Sequence, residues 1–272
     1  MLEDKRIAFV GSGNMGSAMI GAAIGRLRIA PGQIVASDID AAPCAALEER
    51  YGIHTTTANA AAVEGADLVV LAVKPQVLPA VLDNLGGQIP PQAAVLSIVA
   101  GATLGTLVEG LRHTAVVRSM PNTPAQIGEG MTVWMATVGT TAAQREQVQA
   151  LLQAMGQEIE VREEKYLDMA TAVSGSGPAY VFLFMESMVE AAVYLGFSRP
   201  VARQLVLQTV IGAARFANES GRELAELRNM VTSPGGTTAE ALYAMERGKL
   251  RATVLEGIRA AYEKSQRLAA HE

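Results

Sequence analysis

Over roughly the first 160 residues, short apolar runs alternate with stretches of helical periodicity. The runs 7–10, 34–37, 68–73, 93–98 and 116–118 read as strands, followed by 131–135 and 159–161. Helical segments such as 15–27 and 42–51 lie between the early runs. Strand, helix, strand at this pace predicts a parallel sheet with helices on both faces. The later strands follow a loop rich in Pro and Asn, which predicts an antiparallel far edge.

After Val161 the pattern changes, and no further strand is expected. Helical stretches cover 166–171, 178–195, 200–219, 223–231 and 238 to the tail. Gly196 stands where a helix should stop, and Ser198 and Pro200 supply a cap and a first-turn proline for the next. The expected division is a domain of residues 1–162 and an all-helical domain of residues 163–272. Several of these helices, 201–216 for example, are apolar around most of their circumference and must bury more than one face. A small helical domain cannot easily do that alone, so self-association through it, as a homodimer, is the expected solution; a compact monomeric bundle packed on the first domain is the alternative.

The first apolar run leads directly into Gly11-Ser12-Gly13-Asn14-Met15-Gly16 and then a helix. Gly11 permits the tight turn, Gly13 lets the backbone approach a pyrophosphate, and Gly16 lets helix pack on strand. The helix N-terminus offers free N–H groups and a partial positive charge to that anion. Alone such a motif is weak; after the first strand of an alternating pattern it predicts a Rossmann-type dinucleotide-binding domain. Asp38 closes the second run, 22 residues after Gly16, where an acid would bond the ribose hydroxyls of NAD. It would repel the 2′-phosphate of NADP, with no close Arg or Lys to offset it. The cofactor is therefore NADH or NADPH, with NADH favoured; Asp40 is the alternative reader.

Composition removes other classes. Lys plus Arg is 22 against 27 for Asp plus Glu, a net charge of −5 with no basic stretch, which excludes a grip on nucleic acid or an anionic membrane. Cys44 is the single cysteine, so no internal disulfide or thiol metal cluster forms, in keeping with a reducing, cytoplasmic location. The first residues, Met1 to Arg6, lack the features of a secretory signal. In the most apolar long segment, 179–195, Glu186 and Glu190 share one helix face, as suits a buried soluble helix better than a membrane span. His54, His113 and His271 show no metal-ligand spacing, so no metal is expected, and they read as surface or cap residues.

Four further motifs follow strand ends or open helices. Val73-Lys74-Pro75 ends the third clear strand and puts a cation beside the cofactor crevice. Residues 118–124, Arg-Ser-Met-Pro-Asn-Thr-Pro, form a stiff loop in which Asn122 and Thr123 offer amide and hydroxyl groups. Residues 174–178, Ser-Gly-Ser-Gly-Pro, make an anion-receptive helix start. Residues 232–238, Thr-Ser-Pro-Gly-Gly-Thr-Thr, repeat that logic: Gly235 and Gly236 free the backbone to cup a small carboxylate, while Ser233, Thr237 and Thr238 add hydroxyls. The last two are also readable as plain helix caps, and Lys74 as an ordinary exposed lysine at a strand end. No acid–base residue stands out, which suits a substrate already activated, such as a protonated imine.

In order along nearly the whole chain, GSGNMG, AVKP, RSMPNTP, SGSGPAY and VTSPGGTT resemble the pyrroline-5-carboxylate reductase family. The resemblance implies reduction of 1-pyrroline-5-carboxylate to L-proline by NAD(P)H, the last step of proline biosynthesis. It implies an intertwined helical dimer that assembles further into a ring of dimers, a decamer. Carried over by residue, it implies cofactor contacts from Ser12, Asn14, Met15, Ser37, Asn59, Val73, Lys74 and Ala100, with Asn59 at the adenosine ribose. On the substrate side it implies Ser233 and the backbone of the 233–238 loop on the carboxylate and Thr238 on the ring nitrogen. That loop would come from the partner subunit. It also implies Glu219 as an acid near the substrate, although its spacing to the loop departs from the family's. Two rivals stay open: a β-hydroxyacid dehydrogenase using a lysine such as Lys165, and a nucleotide-binding sensor without turnover.

Overall fold

The computed structural model describes residue 2 and residues 4–270. Its first unit is built on an eight-stranded sheet: β1 (Ile7–Val10), β2 (Ile34–Ser37), β3 (His54–Thr56), β4 (Leu68–Leu71), β5 (Ala94–Ser97), β6 (Val116–Met120), β7 (Gly130–Ala136) and β8 (Gly156–Glu160). The strand order is β3-β2-β1-β4-β5-β6-β7-β8. The first six run parallel, β7 is antiparallel to β6, and β8 is parallel to β7. The expected antiparallel edge is present.

Alternate residues of the central strands feed two cores. Ile7, Phe9, Leu68, Val70 and Leu96 pack on one face, with α1 (Asn14–Gly25), α2 (Ala41–Tyr51) and α6 (Ala142–Gln153) supplying Met19, Leu47 and Leu151. Ala8, Val10, Val69, Leu71 and Val95 pack on the other, against α3 (Asn59–Val63), α4 (Leu78–Leu85) and α5 (Leu104–Leu111). A strand buried on both faces has no polar side to show, which is why β1, β4 and β5 read as unbroken apolar runs. Conversely β3 was not expected. It has three residues on the sheet edge, none of them buried, so it carries no apolar run.

The chain divides into two compact units, one reaching to Ser176 and resumed from Ala261, the other Gly177–Ala260. The expected division at residues 162 and 163 follows the last strand instead. The compact boundary falls later because α7 (Lys165–Ala170) is tied to the sheet: Leu167 and Ala170 pack on Val133, and Arg118 pairs with Glu164 and Asp168.

The second unit holds α8 (Gly177–Tyr194), α9 (Arg199–Ser220), α10 (Leu224–Met230), α11 (Thr237–Arg247) and most of α12 (Leu250–Ala270). The single helix expected from residue 238 to the tail is two. Lys249 adopts a left-handed φ of 60° after Gly248, breaking the helix, and its carbonyl then accepts the N–H of Thr253 as α12 begins. Large apolar side chains stand exposed on these helices, Phe182, Leu183 and Leu255 each by more than 60 %. No described helix is long and apolar enough to cross a membrane.

Candidate functional site

Register aligns the carboxyl ends of five strands in one row: Ser37, Val10, Leu71, Ser97 and Arg118 are successive neighbours across β2, β1, β4, β5 and β6. The order reverses between β1 and β4, and a dinucleotide binds at such a switch point. The loop after β1 fits that use. Gly11 has φ +102°, and a Cβ there would lie 2.6 Å from the Ala72 carbonyl oxygen. A Cβ on Gly16 would overlap the Gly11 carbonyl. Both glycines are thus required by packing. Gly13 is not: nothing lies within 4 Å of its would-be Cβ, so the turn faces open space there. Gly13 is also the N-cap of α1, without a side-chain cap and without an acid in the first turn. The first N–H groups, those of Asn14, Met15 and Gly16, therefore lack a capping side chain on the open side, as a phosphate cradle needs.

At the β2 end, Ser12 N–H donates to Asp38 Oδ2 at 2.8 Å, and Asp40 N–H donates to Asp38 Oδ1 at 3.1 Å. The carboxylate is half-buried and held beside the glycine turn. Asp40, the alternative reader, caps α2 by accepting Ala42 N–H at 3.0 Å. Ser37 Oγ–H donates to Asn59 Oδ1 at 2.8 Å, which seats Asn59 at the start of α3 on the same corner. The structure brings Ser12, Ser37, Asp38 and Asn59 together.

Val73 and Lys74 follow β4, and Pro75 opens a short 3-10 turn, Pro75–Val77. Lys74 is exposed, and Ala100 is half-buried in the loop after β5. Asn122 differs from expectation: its amide is engaged within the protein, Nδ2–H donating to Ser174 O at 3.1 Å while Oδ1 accepts Met131 N–H at 2.9 Å. These bonds tie the loop to Met131 at the start of β7. The expected open turn at 174–178 is also different, since Thr171–Gly175 forms a π turn continuing from α7, and Ser176 N–H is already bonded to Thr171 O.

In the second unit, the 233–238 loop turns on Gly235, φ +68°, and Gly236 N–H bonds Ser233 O at 3.1 Å. Gly236 is the N-cap of α11 and again brings no side-chain cap. Ser233 and Thr237 are exposed, and Thr238 is half-buried on the first turn. Glu219 stands exposed on the last turn of α9, and among the described residues it makes no hydrogen bond or ion pair to that loop.

Lys165 is exposed and paired with Glu163, whose hydrogen bond and charge raise its pKa above the ordinary 10.5, the wrong direction for a proton donor at neutral pH. His54 is exposed on β3. His113 is buried, not a surface residue, because its Nε2 pairs with Ala93 O at 2.8 Å beyond the end of α5. His271 lies outside the described residues.

The sequence reading missed one cluster. Arg118, with its side chain 5 % exposed, bonds Glu164 Oε1 at 2.7 Å and Asp168 Oδ1 at 3.0 Å. Glu164 and Asp168 are four residues apart and reach the same guanidinium, a like-charged pair that needs a cation between them. That spacing was the available signal. Truncating the arginine would leave two part-buried carboxylates unpaired, at a cost of about 3 kcal/mol.

Known proteins match this arrangement from end to end. A family model described as pyrroline-5-carboxylate reductase dimerisation matches residues 164–268, and one described as NADP oxidoreductase, coenzyme F420-dependent, matches residues 6–101. A pyrroline-5-carboxylate reductase of Pseudomonas aeruginosa is 42 % identical over 97 % of each chain. The solved structure of a pyrroline-5-carboxylate reductase from Coxiella burnetii superposes with a TM-score of 0.90 at 35 % identity, over 97 % of this chain and 98 % of that one. A Plasmodium falciparum pyrroline carboxylate reductase with NADP bound gives 0.89 at 31 % identity, over 98 % and 99 %. With its dinucleotide-type sheet and its helical dimerisation domain, the chain belongs to the pyrroline-5-carboxylate reductase family.

Proposed function

We infer that this chain reduces 1-pyrroline-5-carboxylate to L-proline with NAD(P)H, the last step of proline biosynthesis, in the cytoplasm. The observation that carries the reading is the uncapped N-terminus of α1, open at Gly13 and flanked by the Asp38 carboxylate. When bound, the cofactor supplies the hydride to the C=N carbon. Gly11, Ser12, Gly13, Asn14, Met15 and Gly16 hold its pyrophosphate, Ser37, Asp38 and Asn59 its adenosine ribose, and Val73, Lys74, Pro75 and Ala100 its nicotinamide half. Asp38 favours NADH, because a 2′-phosphate beside it would be repelled.

In the proposed homodimer, the 233–238 loop of one chain completes the crevice of the other. Ser233 and the N–H groups around Gly235, Gly236 and Thr237 bind the substrate carboxylate at the start of α11. The Thr238 hydroxyl hydrogen-bonds the ring nitrogen as its lone pair develops and orients the C=N carbon. A threonine hydroxyl is too weak an acid or base to do more than orient and relay a proton. Glu219 is the carboxylate assigned to the substrate's surroundings. The exposed apolar helices of the second unit support self-association, and a ring of dimers, a decamer, is the assembly proposed.

The test is loss of NADH absorbance with pyrroline-5-carboxylate, run in parallel with NADPH. Turnover with formation of proline supports the reading. A folded dimer that binds NADH and reduces no cyclic imine overturns it in favour of a sensor.

A further inference from the structure

The Arg118 cluster ties together elements far apart in sequence. Glu164 Oε1, besides meeting Arg118, accepts the N–H of Leu104, the first residue of α5, at 2.7 Å. Asp168 Oδ1, besides meeting Arg118, accepts the hydroxyl of Ser265 on α12 at 3.3 Å. Ser265 is only 4 % exposed. One turn further along α12, Leu268 Cβ lies 3.5 Å from where a Gly101 Cβ would stand, and Gly101 has φ +85°. In the connection from β5 to α5, residues 98–103, Gly101 thus lies beside Leu268, and the exit is held by Glu164.

That segment lies on one particular half of the cofactor crevice. Asp38 marks the adenosine side, over β2, and the switch point lies between β1 and β4. A dinucleotide spanning the switch point puts its nicotinamide over β4 and β5. Ala100 lies three residues beyond the end of β5.

We propose that Arg118, with Glu164 and Asp168, is a positioning residue for the reduction, fixing the 100–103 loop and so the nicotinamide end of the cofactor. The proposal rests on the reading that Ala100 borders the nicotinamide. Arg118 touches no reactant in this scheme; it acts through Glu164 on the loop. Its planar fork is what serves both carboxylates at once, and a lysine ammonium cannot reproduce that geometry.

The test compares Arg118→Lys with Ser265→Ala, which loosens only the α12 arm. Three quantities are read on folded dimer: kcat, KM for NADH, and affinity for ADP-ribose, which lacks the nicotinamide. Arg118→Lys is expected to lower kcat on the order of tenfold or more while ADP-ribose binds as before. Ser265→Ala is expected to give a smaller loss of the same kind. Unchanged kcat per folded dimer, with only a lower melting temperature, overturns the proposal. A matching loss of ADP-ribose affinity also overturns it, since the cluster would then be general scaffold. Ala100→Leu tests the premise separately: changed NADH kinetics supports it, and no change sinks the assignment of Ala100 and the proposal with it.

Discussion

The backbone N–H of Ser12 donates to Oδ2 of Asp38 at 2.8 Å, so the first glycine turn and the end of β2 share one carboxylate. The bond fixes an acid where the adenosine ribose is proposed to lie, so a second anion there would meet a like charge. Like charges about 4 Å apart in a partly solvated corner repel by about 1 to 1.5 kcal/mol, roughly fivefold to tenfold in binding. Asp38→Ser is expected to move the NADPH-to-NADH ratio of kcat/KM up by about that factor. An unmoved ratio would assign coenzyme choice to other residues.

Thr238 sits half-buried on the first turn of α11, behind a glycine N-cap. Because Gly236 and not Thr238 caps the helix, Thr238→Ala removes a hydroxyl without removing a cap. The expected result is a fall in kcat/KM of about tenfold to a hundredfold, with NADH affinity unchanged and activity largely restored in Thr238→Ser. Equal loss of NADH affinity would contradict the orienting role.

How far the sequence foretold this site depended on whether the information was local. The bounds of β1 and β2 were readable because burial on both faces leaves unbroken apolar runs beside a glycine turn. The uncapped α1 and α11 were readable from their glycines. What stayed hidden was set by distant partners. Asn122 reads as a ligand-facing amide, yet Ser174, 52 residues away, claims it. Arg118 belongs to a specific motif, but its acids lie 46 and 50 residues on; their four-residue spacing marks them as a pair without saying which cation they meet. The break at Lys249 was hidden because a lysine at φ +60° carries no signal of its own.

Stability at acid pH has one identifiable contributor at the sheet edge. Burial pushes the Glu158 carboxyl up, but hydrogen bonds from Gln149, Trp134 and Gln153 outweigh it and hold the pKa below the ordinary 4.5. The Trp134 Nε1–H bond is 2.5 Å and the Gln149 bond 2.7 Å. A depressed folded pKa stabilises above the unfolded value, and that contribution is lost as pH falls through the folded value. Glu158→Gln should therefore melt about 2 °C below the native protein at pH 7. The gap should close as pH drops below 4.5. A gap that persists at acid pH would mean the carboxylate's charge is irrelevant.

If each site is shared between two chains as proposed, a prediction follows that single variants cannot reach. A Cβ on Gly16 would overlap the Gly11 carbonyl, so Gly16→Ala should abolish cofactor binding in its own chain. Thr238→Ala should disable the loop that chain donates. In a mixed dimer of the two variants, one site carries both lesions. The other joins an intact cofactor crevice to an intact loop. If subunits exchange at random, half the dimers are mixed and half their sites are whole, so activity should return to about a quarter of the native level. Were the loop instead to serve its own chain's crevice, every site would carry one lesion, and mixing would restore nothing.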